Sequence, residues 1–187
     1  MQQSRRCIVL GRFLTDKAPH VRLVVHRDRD YMSHEASSRF EDRLNENTIS
    51  SLLTDGNDIE SYFISAQHLH ALNPTVSAAR IQELIEQATT ETQSRSLTAV
   101  VNLRTEEAFR KRQAGAPPPN HGEIAVTAQT DYAADPATYR RGKLVLGRLM
   151  ALLQQEIGQN PRVFLPSPHL ASPRITEIAL SIWPPAG

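Results

Sequence analysis

Near its start the chain carries the stretch Leu23-Val24-Val25-His26-Arg27-Asp28-Arg29-Asp30, a short apolar run that stops at two aspartates one residue apart. A run rich in Val and Leu predicts a buried strand. In open α/β folds, ligands bind at the carboxyl edge of the sheet. Because side chains alternate along a strand, Asp28 and Asp30 are expected to point the same way while Arg29 points away.

Two carboxylates at this spacing repel each other unless a cation lies between them. Hard oxygen ligands favour Mg²⁺ or Mn²⁺, so Asp28 and Asp30 predict a divalent-metal site and, with it, phosphoryl-transfer chemistry. A second interpretation stays open, because aspartates are also common after strands, where they suit turns and helix caps. On that interpretation residues 26–30 are a solvated, charged loop.

The composition restricts the class of protein. At 187 residues and a net charge of +1, the chain is long enough for a domain with a core, but it has no basic excess that would by itself indicate nucleic-acid binding. No stretch approaches the roughly 18 consecutive apolar residues of a membrane helix. The lone Cys7 cannot form an internal disulfide. We therefore expect a cytoplasmic protein with no membrane partner.

The order of elements predicts an α/β protein. Helices are expected over residues 4–15, from Ser33 to residue 46, over 141–157 and 174–183, with one or two long helices over 76–113. Strands are expected at residues 21–26, 49–53 and 163–165, and residues 121–134 are expected to be rich in turns. We predict one domain over residues 1–187. It would have a small, mostly parallel sheet flanked by helices and a helical insertion at residues 75–115.

Two further residues are candidates to act beside the aspartates. Glu60 follows the second predicted strand, so it would come from an adjacent loop at the carboxyl edge if the two strands are parallel neighbours. The alternative is an ordinary glutamate in the first turn of a helix, which the helix dipole favours. Lys143 stands near the start of a helix, where a cation is slightly disfavoured. Holding a phosphate beside the metal would explain that lysine, and the alternative is an exposed lysine on a polar face.

Two other patterns predict no site. Gly142-Lys143 is not a Walker A loop, because the first glycine of that motif is missing and Leu144 replaces Ser or Thr. His68 and His70 are two residues apart and therefore do not share a helix face. We predict that they are surface histidines rather than metal ligands.

Three segments together resemble the Toprim domain found at the C-terminus of OLD-type nucleases and related ATP-binding proteins. They are Val-Val-His-Arg-Asp-Arg-Asp-Tyr at residues 24–31, Asn-Asp-Ile-Glu-Ser-Tyr-Phe at 57–63 and Gly-Lys-Leu-Val-Leu at 142–146. The resemblance implies a Toprim-like fold and Mg²⁺- or Mn²⁺-dependent cleavage of nucleic acid, with DNA as the expected substrate. It implies Asp28 and Asp30 as catalytic metal ligands, Glu60 as a further ligand, and Lys143 as the catalytic cation that stabilises charge on the phosphate.

The chain departs from that family at its start. A Toprim fold begins with a strand that ends in glutamate, and here no glutamate occurs before Glu35. We therefore expect the chain to be the C-terminal portion of a longer protein. Its expected partner is an upstream ATPase domain or a separate ATPase subunit, and the isolated chain can lack activity on its own.

Two other functions stay open. A phosphohydrolase of the haloacid-dehalogenase type also uses a strand-terminal Asp-x-Asp, as nucleophile and acid. Its pattern has Thr or Val after the second aspartate, where this chain has Tyr31. The other alternative is a non-catalytic regulatory or assembly module, in which the insertion at residues 75–115 would form a partner-binding or homodimer surface.

Overall fold

The computed structural model describes residues 2–32, 34–115, 117–170 and 172–183. Their elements, in chain order, are α1 (Gln2–Lys17), β1 (Val24–Arg27), α2 (His34–Asn45), β2 (Ser50–Leu53), a 3₁₀ helix (Ile59–Phe63), α3 (Ala66–Leu72), α4 (Ala78–Gln113), α5 (His121–Ala134), α6 (Pro136–Tyr139), α7 (Gly142–Ile157) and α8 (Pro173–Ile182). Helices and a small parallel sheet are both present, which confirms the α/β class; the Toprim-like fold stays a prediction. Within those ranges, no helix combines the length and the apolar character needed to cross a membrane.

The chain divides into two compact units. The first comprises Met1–Thr54 and Ala171–Gly187, and the second comprises Asp55–Leu170. That they make up one domain over residues 1–187 stays a prediction. Residues 75–115, predicted to be a helical insertion, lie inside the second unit and contain α4.

The first unit is built on two parallel strands. Val24 of β1 lies opposite Ser50 of β2, and Arg27 lies opposite Leu53. Parallel strands need a crossover connection, and α2 supplies it. Ser33, which was predicted to cap α2, lies outside the described residues.

A small apolar core closes the first unit. Phe40 and Leu44 of α2 pack with Ile49 and Leu53. Phe40 and Leu44 are four residues apart and therefore lie on the same face of the helix. The first helix, α1, approaches this core at Gly11, where a Cβ atom would lie 2.5 Å from Cδ1 of Ile49. A larger residue at position 11 would therefore push α1 away from the core.

The second unit consists of helices around α4. This helix runs for 36 residues, about 54 Å at 1.5 Å per residue, and contacts α3, α5 and α7. Its buried positions recur every three or four residues, as on one face of a helix: Ile81, Leu84, Ile85, Ala88, Thr92, Ser96 and Val100. The larger core forms where α4 meets α7, and it includes Val145 and Leu149.

Polar residues in the middle of α4 do not interrupt it. The hydroxyl of Thr92 donates to the carbonyl of Ala88 at 2.8 Å, and the hydroxyl of Ser96 accepts the backbone N–H of Arg141 at 3.1 Å. Because these buried hydroxyls are hydrogen-bonded, the two open predictions for residues 76–113 resolve to one continuous helix.

Residues 121–134, predicted to be rich in turns, form α5, so that prediction is wrong. Asn120 caps α5 by accepting the N–H of Glu123 at 3.3 Å. Ala128 and Tyr132, four residues apart, are buried. The sequence contained the signal, since an asparagine followed three residues later by a glutamate is typical of a helix start.

Residues 163–165, predicted as a strand, are irregular. Side chains of the second unit bond the backbone here in place of a neighbouring strand. The side chain of Asn73 donates to the carbonyl of Arg162 at 2.8 Å and accepts the N–H of Arg162 at 2.9 Å. Nε2 of His68 lies 2.8 Å from the carbonyl of Val163. The polar backbone groups are thus satisfied without a sheet.

His68 is fully buried, so the prediction of a surface position is wrong for this residue. Because the carbonyl of Val163 can only accept, Nε2 donates to it, and Nδ1 lies 2.7 Å from the hydroxyl oxygen of Ser167. His70 is half-buried, and its Nδ1 lies 2.8 Å from the carbonyl of Val76. Both imidazoles therefore hold backbone segments in place.

Asn73→Ala is expected to lower the free energy of unfolding by about 1–3 kcal/mol, because it leaves both backbone groups of Arg162 without their side-chain partner. The matched control is Asn102, an exposed asparagine of α4. Asn102→Ala should stay within about 0.5 kcal/mol of the parent, as surface substitutions usually do. Urea denaturation measures both, and equal stabilities of the two variants would contradict the role of Asn73.

Candidate functional site

The carboxyl end of β1 lies at a small cavity. The cavity has a volume of about 330 Å³ and is lined by Cys7, Val25, His26, Arg27, Asp28, Asp30 and Phe40. The two aspartates of the Asp-x-Asp pattern therefore line one cavity. Its other walls combine apolar groups with two side chains that can carry positive charge.

A sharp turn, rather than continued strand alternation, brings the second aspartate to this cavity. The strand β1 ends at Arg27, before either aspartate. Asp30 and Tyr31 then adopt positive φ angles of 46° and 61°, a backbone region that side-chain-bearing residues rarely occupy and that aspartate tolerates better than most. Both aspartates thus lie beyond the end of the strand, so strand alternation does not determine where their side chains point.

The turn is tied to the end of β2 through Thr54. The backbone N–H of Arg29 donates to the hydroxyl of Thr54 at 3.0 Å, and Nε of Arg29 donates to the Thr54 carbonyl at 3.2 Å. The N–H of Thr54 in turn donates to the carbonyl of Arg27 at 3.2 Å. These bonds hold the aspartates at the carboxyl edge of the sheet and direct Arg29 to β2.

Positive or polarisable groups flank the two carboxylates. Nε2 of His26 lies 3.6 Å from Oδ1 of Asp28. The guanidinium of Arg27 lies over the ring of Phe40, 5.2 Å from its centre, in a cation–π arrangement. The cavity therefore combines two carboxylates with a guanidinium and an imidazole.

The donor set of the cavity fits a hard divalent cation. Mg²⁺ is usually bound by one or two carboxylates, with water and substrate phosphate completing its octahedron, and Asp28 and Asp30 supply two carboxylates at one cavity. Across the ranges given above, no group of three His, Cys, Asp or Glu side chains could hold a metal ion. That Asp28 and Asp30 bind Mg²⁺ or Mn²⁺ stays a prediction.

A second polar cluster lies in the other unit, at the start of α7. Asp58 is only 8% exposed. Its carboxylate accepts the backbone N–H of Lys143 at 3.1 Å and the hydroxyl of Ser61 at 2.9 Å. The N-cap residue of α7, Arg141, makes no side-chain cap bond. Asp58 therefore caps α7 across 85 positions of sequence, and it brings segment 57–63 against segment 142–146.

Glycines allow this close approach. A Cβ atom on Gly142 would lie 2.0 Å from Oδ1 of Asp58 and 2.7 Å from the backbone nitrogen of Ser61, and one on Gly56 would lie 2.6 Å from Cβ of Ser61. Real Cβ atoms do not approach other atoms so closely. The contact between the 3₁₀ helix and the start of α7 therefore requires residues without side chains at both positions.

A largely buried arginine lies beside Asp58. Burial lowers the pKa of the Arg140 guanidinium, and the neighbouring Tyr132, Asp135 and Asp58 partly oppose that effect. One of its terminal nitrogens donates to the hydroxyl of Thr89 at 3.4 Å. Asp58 thus lies at a helix N-terminus, which attracts negative charge, and it interacts electrostatically with Arg140.

The structure places Glu60 and Lys143 next to this cluster. The side chain of Lys143 is exposed and that of Glu60 is half-buried, and the 3₁₀ helix and α7 that carry them are in contact. Asp28 and Asp30 belong to the first unit. That all four side chains act at one site stays a prediction.

Asp58 and Arg140 were not predicted as parts of the candidate site. A weak sequence signal for the cluster was a pair of glycines, Gly56 two residues before Asp58 and Gly142 directly before Lys143. Glycine marks close backbone approach, but nothing in the sequence indicates which two glycines approach the same residue.

Comparison with known proteins gives no match: no family model, no curated protein and no solved structure is significantly similar to the chain.

Gly142→Ala is expected to lower the free energy of unfolding by about 1–3 kcal/mol, because the added methyl group overpacks the contact with Asp58 and Ser61. Gly147 of the same helix is the matched control, since no atom lies within 4 Å of a Cβ built there. Gly147→Ala should raise the free energy by about 0.5–1 kcal/mol, as alanine does at open helix positions. Chemical denaturation of both variants measures the difference, and a shift of the same sign in both would contradict the close approach.

Proposed function

We propose that this chain is a Toprim-like domain of a longer ATP-binding protein and that it takes part in divalent-metal-dependent cleavage of nucleic acid, with DNA as the substrate. The observation that supports this most is the shared cavity of Asp28 and Asp30 at the carboxyl end of a parallel strand. Carboxylate pairs at such edges are suited to Mg²⁺ or Mn²⁺.

The proposed roles follow from the chemistry of each side chain. A divalent cation, when bound, would polarise the phosphodiester and supply a nucleophile from water. Asp28 and Asp30 hold that cation in the proposal, with Glu60 as a further ligand. Lys143 offsets the negative charge that develops on the phosphate.

The position of Lys143 supports a functional role for its ammonium group. A cation in the first turn of a helix is slightly unfavourable, and Lys143 lies in the first turn of α7 with its side chain exposed. Within the part of the chain that the structure describes, no salt bridge offsets that disfavoured position. An anionic ligand such as a nucleic-acid phosphate would do so.

Asp28→Asn should abolish Mn²⁺ binding, because it removes one of the two carboxylates that the described residues place at the cavity. The measurement is isothermal titration with MnCl₂ at millimolar concentration. Asp42 provides the matched control, as an exposed aspartate of α2 in the same unit. Asp42→Asn should titrate like the parent protein, and a titration indifferent to Asp28→Asn would contradict the proposal.

Lys143→Ala should lower the rate of Mn²⁺-dependent cleavage of plasmid DNA at saturating substrate by about 10²–10³-fold, the range expected for loss of one charge-stabilising group. Lys111→Ala is the control, because Lys111 is an exposed lysine of the same unit and lies in the last turn of α4. Gel analysis of nicked and linear product measures the rate.

Two other experimental results would favour the alternative functions. Phosphate retained covalently on Asp28 would support the haloacid-dehalogenase type of phosphohydrolase. A protein that leaves nucleic acid intact, binds no Mn²⁺ and forms stable dimers would support the regulatory or assembly module.

A further inference from the structure

We infer that Asp58 is the positioning residue for Lys143: its buried carboxylate fixes the first turn of α7 so that the ammonium group of Lys143 is presented at a defined place. The inference rests on the proposed function, because it assigns Asp58 a role only through the proposed work of Lys143. It adds a residue that does not contact the phosphate itself.

The Lys143 backbone is hydrogen-bonded to Asp58. The carboxylate accepts the N–H of Lys143 itself at 3.1 Å, not that of a neighbouring residue. A side chain begins at its Cα atom, so a bond at the adjacent nitrogen limits where the long lysine side chain can reach. The side chain of Lys143 can therefore rotate, but the Cα atom from which it extends is held in place.

Asp58 is itself held from several sides. The hydroxyl of Ser61 donates to its other oxygen at 2.9 Å, and Arg140 supplies positive charge nearby. A buried carboxylate is strongly unfavourable unless it is hydrogen-bonded, and both oxygens of Asp58 accept a hydrogen bond. The anchor of Lys143 is thus rigid rather than a chance surface contact.

The helix α7 would otherwise begin without a side-chain cap. Arg141 stands at the N-cap position and makes no side-chain cap bond, while its own backbone N–H donates to Ser96. Ser, Thr, Asn or Asp at the N-cap would normally supply an acceptor locally. Here the acceptor comes from the 57–63 segment, which also carries Glu60.

The test is a double-mutant cycle on metal-dependent DNA cleavage by the full chain. Asp58→Ala should lower kcat by about tenfold or more with little change in KM, because a misplaced charge-stabilising group affects the transition state more than substrate binding. Asp58→Asn can still accept the N–H of Lys143 and should recover most of that loss. In a Lys143→Ala background, Asp58→Ala should cause no further loss of kcat.

A second readout does not depend on cleavage. Hydrogen exchange of the backbone amide of Lys143, followed by NMR, should be slow in the parent and in Asp58→Asn and faster in Asp58→Ala. If Asp58→Ala does not fold, Ser61→Ala replaces it, because loss of the supporting hydroxyl should weaken the same anchor and show the same dependence on Lys143. Gly147→Ala is the control for changes in α7 that leave the anchor intact.

The outcomes separate the inference from the function on which it rests. If the parent protein neither binds Mn²⁺ nor cleaves nucleic acid, the proposed function fails and the inference fails with it. If the parent cleaves DNA and the effects of Asp58→Ala and Lys143→Ala on kcat simply multiply, only the inference is overturned, and Asp58 is a structural cap. Unchanged amide exchange of Lys143 in Asp58→Ala would overturn it as well.

Discussion

The bond between the carboxylate of Asp58 and the backbone of Lys143 is the constraint on which the arrangement of the second unit's candidate residues depends. It joins positions 85 residues apart and fixes where α7 begins relative to the 3₁₀ helix. From that start, the apolar face of α7 packs into the larger core with α4 through residues such as Val145 and Leu149. A polar interaction thus sets the register, and hydrophobic burial supplies most of the stabilisation.

The first unit obtains its candidate site by different means. There the two aspartates follow a short strand, and backbone bonds among Arg27, Arg29 and Thr54 hold the turn that carries them. Both carboxylates line a cavity. Asp58 is buried and hydrogen-bonded in the second unit, whereas Asp28 and Asp30 line a cavity of the first unit.

Buried polar side chains shape the second unit more than its apolar pattern suggests. His68 and Asn73 bond the backbone at residues 162–163, which therefore needs no neighbouring strand. Ser96 bonds the backbone at the start of α7. Such groups are stable inside a protein only when their partners are in place, so each of them specifies one arrangement of the surrounding segments.

The sequence by itself determined the elements whose signals are local: the strands β1 and β2, the helix α2 between them, the long helix predicted over 76–113 and the amphipathic helix predicted over 141–157. It also identified Asp28 and Asp30 as a pair, since both lie in one short segment. The helix over 121–134 was missed although its cap is local, because the proline-rich loop before it dominated the pattern. Only the tertiary structure decided the burial of His68 and the role of Asp58. Their partners lie far along the chain, and no pattern of nearby residues encodes which distant groups a folded backbone brings within hydrogen-bonding distance.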